Sequence, residues 1–490
     1  MPFKKACCVA AGLLLTLTAL SAGQGLSAPD QLQSKTKHTV RIGGQALNYT
    51  ATTGTLPLRD ENGEQDAFIF YVAYTKDDVK DPAARPLMFS FNGGPGSSSV
   101  WMHMAFLGPR KVLYDDEGFM LQPPYQVVDN EHSILDIADL VFIDPVATGY
   151  SRMLPGKPLH KYHGVMEDIQ SVAEFIRLYV TVHERWGSPK FVIGESYGTT
   201  RASGLSGYLL SAHRMYINGT ILVSMTGLGG EKGSDMSHMV ILPHYAATAW
   251  YHKALPSEMQ ARSLREVLDE AEAFAAGAYA QALSKGGWLP SAERDAVTAE
   301  MARLTGLSVE YIKDSNLRVE RQRFRKELLR SRGLTVGRLD SRYTGTDRDS
   351  AAEDIEFDPA MAHWNGPFTG AVNRYFKEEL KISTEMPYNI FGNVRPWQGR
   401  RDVDVGEMLR RAMNENPFLK VFVLEGYYDG ACDYFGAQYT MSHLDLTGRL
   451  RERISFGFYE SGHMMYIHLP SLIKVRQDLA TFIRSACPVR

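Results

Sequence analysis

The chain contains segments in which apolar and polar residues alternate, and short runs of apolar residues follow. After a polar stretch, Thr39 to Ile42 and Ala67 to Tyr74 alternate apolar with polar residues, and Gly, Asn and Asp lie between them. This alternation predicts strands that open an antiparallel sheet. Short apolar runs follow at 86–91, 139–143, 191–193, 221–223 and 421–424. Because such runs are typical of strands buried on both faces, they predict a mostly parallel sheet with helices on either side.

Segments whose apolar residues recur at helical spacing lie between these runs. His163 to Trp186 and Pro470 to Ser485 repeat apolar residues every three or four positions, which predicts helices. From about Tyr251 to Thr384 the composition shifts to Ala, Glu, Arg and Leu with few β-branched residues, which also favours helices. The clearest helical segments in this block are 257–285, 291–304 and 317–332.

We interpret residues 251–384 as a helical insertion, or cap, over the carboxyl edge of the sheet, where open α/β folds bind ligands. The α/β core then consists of residues 29–250 and 385–490. Within the cap, the polar and charge-rich stretch from Asp340 to Asp358 predicts a mobile loop.

The N-terminus has the form of a secretory signal. Lys4 and Lys5 precede an apolar run over residues 6–20, and small residues follow up to Ala28. The run is short for a membrane span, and an uncleaved anchor is the alternative. We expect residues 1–28 to be removed, the mature chain to have no stable membrane association, and its location to be periplasmic or secreted.

Composition narrows the classes of protein. Loss of the signal would leave Cys432 and Cys487, which could form one disulfide, although the sequence does not decide whether they pair. Two thiols cannot make a disulfide scaffold, so stability has to come from the core of this 490-residue, 44% hydrophobic chain. The formal net charge of −3, without a long Lys/Arg run, argues against nucleic acid as a partner.

The first chemical signal lies after the run at 190–193, which leads directly into Gly194-Glu195-Ser196-Tyr197-Gly198. A Gly-x-Ser-x-Gly sequence between a strand and a helix is typical of a nucleophile elbow, a sharp turn that projects the serine hydroxyl outward. Ser196 is therefore the candidate nucleophile. A serine hydroxyl also needs a general base, a residue that orients the base, and donors for the oxyanion.

The acid and the base are expected later in the chain. In α/β-hydrolases they follow the serine in that order, on loops after late strands. Asp429 lies on a tight loop after the run at 421–424, and Glu425 and Asp433 are its alternatives. His463 follows a strand-like run and precedes the last helix, which makes it the candidate base. The alternatives to His463 are His468 and His443.

A glycine-rich loop directly follows the apolar run at 86–91, in the sequence Asn92-Gly93-Gly94-Pro95-Gly96-Ser97-Ser98-Ser99. It has neither the Gly-Lys-Ser/Thr ending of a phosphate-binding loop nor the glycine spacing of a dinucleotide site. The loop after the third strand of an α/β-hydrolase supplies oxyanion donors. We therefore expect the N–H groups of Gly94 and Tyr197 to form the oxyanion hole.

Taken together, these segments resemble the serine carboxypeptidase family. The resemblance rests on the glycine loop at 92–99, Asp144-Pro145-Val146-Ala147-Thr148-Gly149-Tyr150-Ser151, the elbow at 194–198, Asp429, and Gly462-His463-Met464, in the order of the family. It implies that Ser196, Asp429 and His463 form the triad and that Gly94 and Tyr197 form the oxyanion hole.

The resemblance also implies a binding site for the terminal carboxylate of a substrate, formed by Asn92, Glu195 and the N–H of Gly93. Two ionised carboxylates repel at contact, so Glu195 can bind this group only while the pair shares a proton. Peptide binding is therefore expected to favour acidic pH. Ser90 and Ser97 replace the Trp and Cys of most eukaryotic members, and this departure resembles a bacterial branch of the family.

The sequence thus predicts an α/β-hydrolase fold with a helical cap, acting as a serine carboxypeptidase on peptides with a free C-terminus. Neither a cofactor nor a metal is expected, and no His-Glu-x-x-His segment indicates a zinc carboxypeptidase. An esterase or acyltransferase with the same triad is the first alternative, because a fold does not determine the leaving group. A catalytically silent binding protein is the second.

Overall fold

The apolar runs become the strands of one mixed sheet in the computed structural model, which describes residues 30–227, 234–398 and 403–487. The strands are β1 (Ser34–Ile42), β2 (Gln45–Arg59), β3 (Gln65–Lys76), β4 (Leu87–Phe91), β5 (Arg110–Val112), β6 (Val127–Asp129), β7 (Asp139–Ile143), β8 (Arg152–Met153), β9 (Lys190–Glu195), β10 (Gly219–Val223), β11 (Thr335–Val336), β12 (Thr344–Gly345), β13 (Lys420–Gly426) and β14 (Ile454–Tyr459). The predicted signal segment, residues 1–28, lies outside the described residues.

The order of strands in the main sheet is β1-β2-β3-β7-β4-β9-β10-β13-β14, and β8 pairs with β3. The strands β1, β2, β3 and β7 pair antiparallel, and from β7 to β14 every pair is parallel. The predicted antiparallel opening and the parallel sheet are therefore both confirmed. Because β4, β9, β10 and β13 are parallel neighbours, their carboxyl ends lie along one edge of the sheet.

Helices cover both faces of this sheet. The helices are α1 (Val165–Val182), α2 (Tyr197–His213), α3 (Asp235–Tyr251), α4 (Ser257–Gln260), α5 (Leu264–Phe274), α6 (Ala280–Lys285), α7 (Ser291–Thr305), α8 (Val309–Asp314), α9 (Arg321–Glu327), α10 (Pro359–Glu378), α11 (Val405–Glu415), α12 (Tyr434–Ser442) and α13 (Leu469–Ala486). One apolar layer joins α1, α2, α11 and α12 to the sheet, and the other joins α10 and α13. In β9, Phe191 and Ile193 belong to the second layer and Val192 to the first, as the alternation of side chains in a strand requires.

A third apolar cluster lies in the helices above the sheet and runs from Ile241 in α3 to Val336 in β11. This cluster begins and ends earlier than the segment 251–384 that the composition marks as the cap. Helix α3 packs with the cap, whereas Trp364 and Phe368 of α10 pack in the main core. Helical spacing identifies the helices but carries no information about which surface their apolar stripes bury.

Local breaks also divide the cap helices. The predicted helix over 257–285 consists of α4, α5, a π-helical segment at Ala275–Tyr279 and α6, and the predicted helix over 317–332 is regular only in α9. The prediction of a mobile loop over residues 340–358 is wrong for its first four residues. Those residues are all buried: Asp340, Ser341, Arg342 and Tyr343.

Two further features concern the membrane and the cysteines. No helix within residues 30–227, 234–398 and 403–487 is long and apolar enough to cross a membrane. Cys432 is buried, Cys487 is half-buried, and both thiols are free, so the disulfide that the sequence left open does not form.

Candidate active site

Ser196 occupies the turn between β9 and α2 with a strained backbone. Its φ is +58°, a region that costs a residue with a side chain about 1–3 kcal/mol. Glycine flanks the turn because the chain approaches itself closely: a Cβ on Gly194 would lie 2.1 Å from the carbonyl oxygen of Gly198. The N–H of Ser196 donates to the carbonyl of Val223 at 2.9 Å, which anchors the turn to β10. This geometry is that of the predicted elbow.

Asp429 and His463 meet at the ends of β13 and β14. Nδ1 of His463 donates to Oδ2 of Asp429 at 2.6 Å, and both side chains are buried. Oδ1 of Asp429 accepts the N–H groups of Ala431 at 2.8 Å and Cys432 at 3.0 Å, which fixes the carboxylate. With Nδ1 used in this way, Nε2 is the ring nitrogen left to take a proton from a hydroxyl.

The charge of Asp429 determines the electrostatics of the histidine. Burial by itself would lower the pKa of His463, but the charge of Asp429 and the hydrogen bond to it hold that pKa well above its usual value. A carboxylate in this position stabilises the imidazolium that forms when histidine accepts a proton.

The alternative acids and bases have other partners. Asp433 caps α12 through the N–H of Gly436 and pairs with Arg321. Glu425 accepts the N–H of Met225 at 2.9 Å, and its burial raises its pKa well above the usual value. Nδ1 of His468 bonds to Ser471, and Nδ1 of the exposed His443 bonds to the carbonyl of Tyr439.

The glycine loop packs directly on the elbow. A Cβ on Gly93 would lie 2.4 Å from the nitrogen of Tyr197 and 2.7 Å from the carbonyl oxygen of Glu195, so only glycine fits there. Gly94 has φ +102°, which also favours glycine. Tyr197 is the first residue of α2, where an N–H has no partner in a preceding turn. The loop therefore packs through Gly93 against the backbone of Tyr197, and Gly94 is the next residue of the loop.

Glu195 lies directly before the nucleophile and is only 3% exposed. Oε1 accepts the hydroxyl of Tyr466 at 2.6 Å, and Oε2 accepts the side-chain amide of Asn92. Burial raises the pKa of Glu195 to about 7, although the charge of His463 and these two hydrogen bonds oppose the shift. Glu195 and Asn92 thus form one buried pair, as the sequence predicts, and Tyr466 is a partner that the sequence does not indicate.

Oxygen, sulfur and nitrogen atoms of Asp429, Cys432 and His463 lie within 4.8 Å of one another, a set of atom types that can hold a metal. Nδ1 of His463 already donates to Asp429, so Nε2 is the ring nitrogen with a free lone pair, and an ion held here would occupy the nitrogen that a general base needs free.

Comparison with known proteins places this chain in a family. The family model described as serine carboxypeptidase matches residues 44–305, which is more than half of the chain. The chain belongs to the serine carboxypeptidase family.

Among curated proteins, this family member is 30% identical over 155 residues to the pheromone-processing carboxypeptidase KEX1 of Saccharomyces cerevisiae. The match covers 29% of this chain and 20% of KEX1, so the chain spans only about a fifth of that relative. Serine carboxypeptidase-like 9 of Arabidopsis thaliana is 27% identical over 167 residues, which are 33% of this chain and 37% of that protein.

Among solved structures, the crystal structure of KEX1ΔP, a prohormone-processing carboxypeptidase from Saccharomyces cerevisiae, matches with a TM-score of 0.53. The match covers 88% of this chain and 91% of that chain at 15% identity. At this identity the match supports the fold, and it confirms the predicted α/β-hydrolase architecture.

Residues 338–343 of this serine carboxypeptidase family member contribute to the site in a way that the sequence does not predict. The carbonyl of Arg338 accepts the N–H of Gly430 at 3.1 Å, and the carbonyl of Leu339 accepts the N–H of His463 at 2.7 Å. Oδ2 of Asp340 accepts the N–H of Gly462 at 3.0 Å. This segment therefore joins the loop of Asp429 to the loop of His463.

An ion pair holds this segment in place. Asp340 pairs with Arg342 at 2.7 Å, both side chains are almost fully buried, and Arg342 also donates to the hydroxyl of Ser461 at 3.1 Å. Alternating charges in a polar stretch indicate a solvated loop, so the sequence carries no signal for a pair that is buried between two distant loops.

A second buried ion pair lies under the elbow. Arg201 of α2 pairs with Asp168 of α1 at 2.8 Å and donates to the carbonyl of Asn92 at 2.7 Å. The hydroxyl of Tyr197 donates to the same aspartate at 3.1 Å. The glycine loop and the first turn of α2 are thus held by one network.

Proposed function

We propose that this chain is a serine carboxypeptidase that removes C-terminal residues from peptides. One observation carries the proposal: the residue before the nucleophile is a buried glutamate whose pKa is raised to about 7 and which is hydrogen-bonded to Asn92. A hydrolase that binds neutral esters needs no acid at this position. An enzyme that binds the terminal carboxylate of a peptide through an acid needs that acid to share a proton with the ligand.

In the proposed reaction, Oγ of Ser196 attacks the last peptide carbonyl while Nε2 of His463 takes the hydroxyl proton. The N–H groups of Gly94 and Tyr197 stabilise the oxyanion. His463 then gives its proton to the leaving amine, the C–N bond breaks, and the C-terminal amino acid departs. Water, deprotonated by the same histidine, hydrolyses the acyl enzyme and restores Ser196.

The leaving residue is selected through its carboxylate. In the proposal, Asn92 and the N–H of Gly93 donate to one part of the carboxylate, and protonated Glu195 donates to another. This arrangement places the terminal carboxylate beside Ser196 and leaves only one peptide bond within reach of the hydroxyl. Neither a metal nor a cofactor takes part.

The decisive experiment compares a blocked dipeptide with its C-terminal amide. We expect turnover of the free acid to exceed that of the amide by about a hundredfold in kcat/KM, because the amide leaves buried polar groups without a charged partner. Release of the C-terminal residue is measured by mass spectrometry. Equal turnover of the two substrates would favour the esterase or acyltransferase alternative.

A second prediction concerns pH. Below about pH 7, Glu195 carries a proton and can donate to a carboxylate, and above that pH it ionises and repels the ligand. The wild-type kcat/KM for peptide acids is therefore expected to decline above neutral pH. In Glu195→Gln the side chain stays neutral, with its oxygen toward Asn92 and its amide toward Tyr466, so the decline should disappear and the optimum should move upward.

This prediction is checked with pH profiles of kcat/KM. A small ester without a carboxylate should give the same profile in the wild type and in Glu195→Gln, and the exposed Glu460→Gln serves as the matched control. An unchanged profile for peptide acids in Glu195→Gln would mean that Glu195 is not the partner of the carboxylate.

We further propose a periplasmic or secreted location, which the N-terminal pattern supports. The bacterial-type assignment is likewise a proposal, and Ser90 and Ser97 support it. Ser97 is buried and accepts the indole N–H of Trp101 at 2.9 Å, so a hydroxyl has a defined partner at this position.

A further inference from the structure

A cavity of about 560 Å³ lies beside the residues proposed as the triad. Its lining includes Met225 and Thr226, which follow β10, and Gly430 to Asp433, which follow Asp429. Residues of α3, α9 and α12 also line it. Neither Ser196 nor Glu195 lines it, so the cavity is separate from the carboxylate site described above.

Three arginines of the cap, Arg321, Arg325 and Arg338, line this cavity. Arg321 pairs with Asp433 at 2.7 Å, and Arg338 lies 3.5 Å from Asp358. The remaining acid of the lining, Glu320, faces His238 at 3.7 Å. Arg321 and Arg338 therefore each have a carboxylate partner.

Arg325 differs from both. It is only 8% exposed, and its guanidinium donates to the carbonyl of Gly430 at 2.9 Å. Among the described residues, no carboxylate lies within ion-pair distance of Arg325. Burial lowers its pKa to about 10, so it remains charged at neutral pH. Within the described part of the chain, the cavity therefore contains a buried positive charge without a counter-ion, which is costly unless a ligand supplies one.

The order of strands shows which part of a peptide would reach this charge. The proposed carboxylate site follows β4, Ser196 follows β9, and the cavity lies at the ends of β10 and β13, which are the next two strands on the other side of Ser196. Neighbouring strands are about 4.8 Å apart, and an extended peptide advances about 3.3 Å per residue. When the carbonyl of the scissile peptide bond lies at Ser196, the one to three residues before that bond thus extend toward the cavity.

We propose that this cavity receives an acidic side chain, Asp or Glu, from the acyl side of the scissile bond, with Arg325 as its partner and Arg338 as a second positive charge. The inference rests on the proposed carboxypeptidase function and names a substrate class for it: peptides with an acidic residue shortly before the C-terminal residue. A cavity of about 560 Å³ has ample room for one such side chain.

The test uses blocked peptides that end in the same residue and carry Glu, Gln or Lys at one of the three positions before the scissile bond. In the wild type we expect Glu to exceed Gln by about tenfold in kcat/KM at one of these positions, which is the scale of one charge-assisted hydrogen bond. Lys should be the poorest of the three. In Arg325→Gln the ratio of Glu to Gln should fall close to one, and Arg325→Lys should retain part of it.

Arg338→Gln, in a half-exposed position, should reduce the ratio and keeps the test valid if Arg325→Gln does not fold. Arg323→Gln is the matched control, because Arg323 lies on the same helix, is exposed and pairs with Glu353 outside the cavity. A wild-type ratio near one at all three positions, with normal removal of the C-terminal residue, would overturn the inference and leave the proposed function intact. Failure to cleave any peptide acid would instead overturn the proposed function, and the inference with it.

Discussion

Replacement of Ser196 by alanine is expected to lower kcat for peptide hydrolysis by about a million-fold, the scale found when a nucleophilic serine is removed from a triad. Alanine keeps the Cβ, so the strained backbone at φ +58° changes little and the substitution removes only the hydroxyl. Binding of a peptide acid should persist, because Asn92, Gly93 and Glu195 are untouched. Single-turnover kinetics and binding of an uncleaved peptide measure the two effects separately.

A fluorophosphonate probe gives an independent reading of the same residue. The wild type should be labelled covalently and Ser196→Ala should not. The matched control is Ser211→Ala, because Ser211 is an exposed serine on α2, the helix that follows Ser196, and this variant should retain labelling and activity. Absence of labelling in well-folded wild-type protein would contradict the enzyme hypothesis and would favour the silent binding protein.

The parallel sheet could be predicted because its strands are buried on both faces and therefore form solid apolar runs. The candidate triad could be predicted because its members follow β9, β13 and β14 in the order along the chain that α/β-hydrolases show. Two short patterns, Gly-x-Ser-x-Gly and the glycine loop, then gave Ser196, Gly94 and Tyr197. In each case the signal lies within about ten consecutive residues.

The partners of Glu195 and of Gly462, the residue before His463, show where such local signals end. Tyr466 is 271 residues from Glu195, and Asp340 is 122 residues from Gly462. Neither contact leaves a pattern in the sequence around either residue, because a tyrosine near the last helix is typical of a core position and an aspartate in a charged stretch is typical of a surface. Contacts of this kind depend on how segments that are distant in the sequence pack together in the folded chain.

The limits of the cap have the same physical origin. Helix α10 lies within the segment predicted as the cap, yet its Trp364 and Phe368 pack in the main core. Amphipathic periodicity shows that a helix has one apolar face but does not show which layer that face covers. The extent of the predicted insertion at 251–384 therefore remains a prediction, while the apolar cluster at 241–336 is a property of the structure.

Asp429→Asn is expected to reduce kcat by about ten-thousand-fold, the scale of an acid that sets the tautomer of its histidine. The structure indicates how the asparagine would orient. Oδ1 of Asp429 accepts two N–H groups, from Ala431 and Cys432, so the amide oxygen would take that place and its NH₂ group would face Nδ1 of His463. Nδ1 would then have to accept a hydrogen bond, and the ring proton would lie on Nε2, where a base must be free.

The control for this variant is Glu425→Gln, because Glu425 was the alternative acid and lies near the end of β13, which leads to the loop of Asp429. Burial keeps the pKa of Glu425 well above the usual value, so glutamine resembles its neutral form and should change kcat by less than about tenfold. Thermal unfolding should show both variants folded. If Glu425→Gln abolished activity while Asp429→Asn retained it, the orienting acid would be Glu425, and the 2.6 Å contact between Asp429 and His463 would be structural.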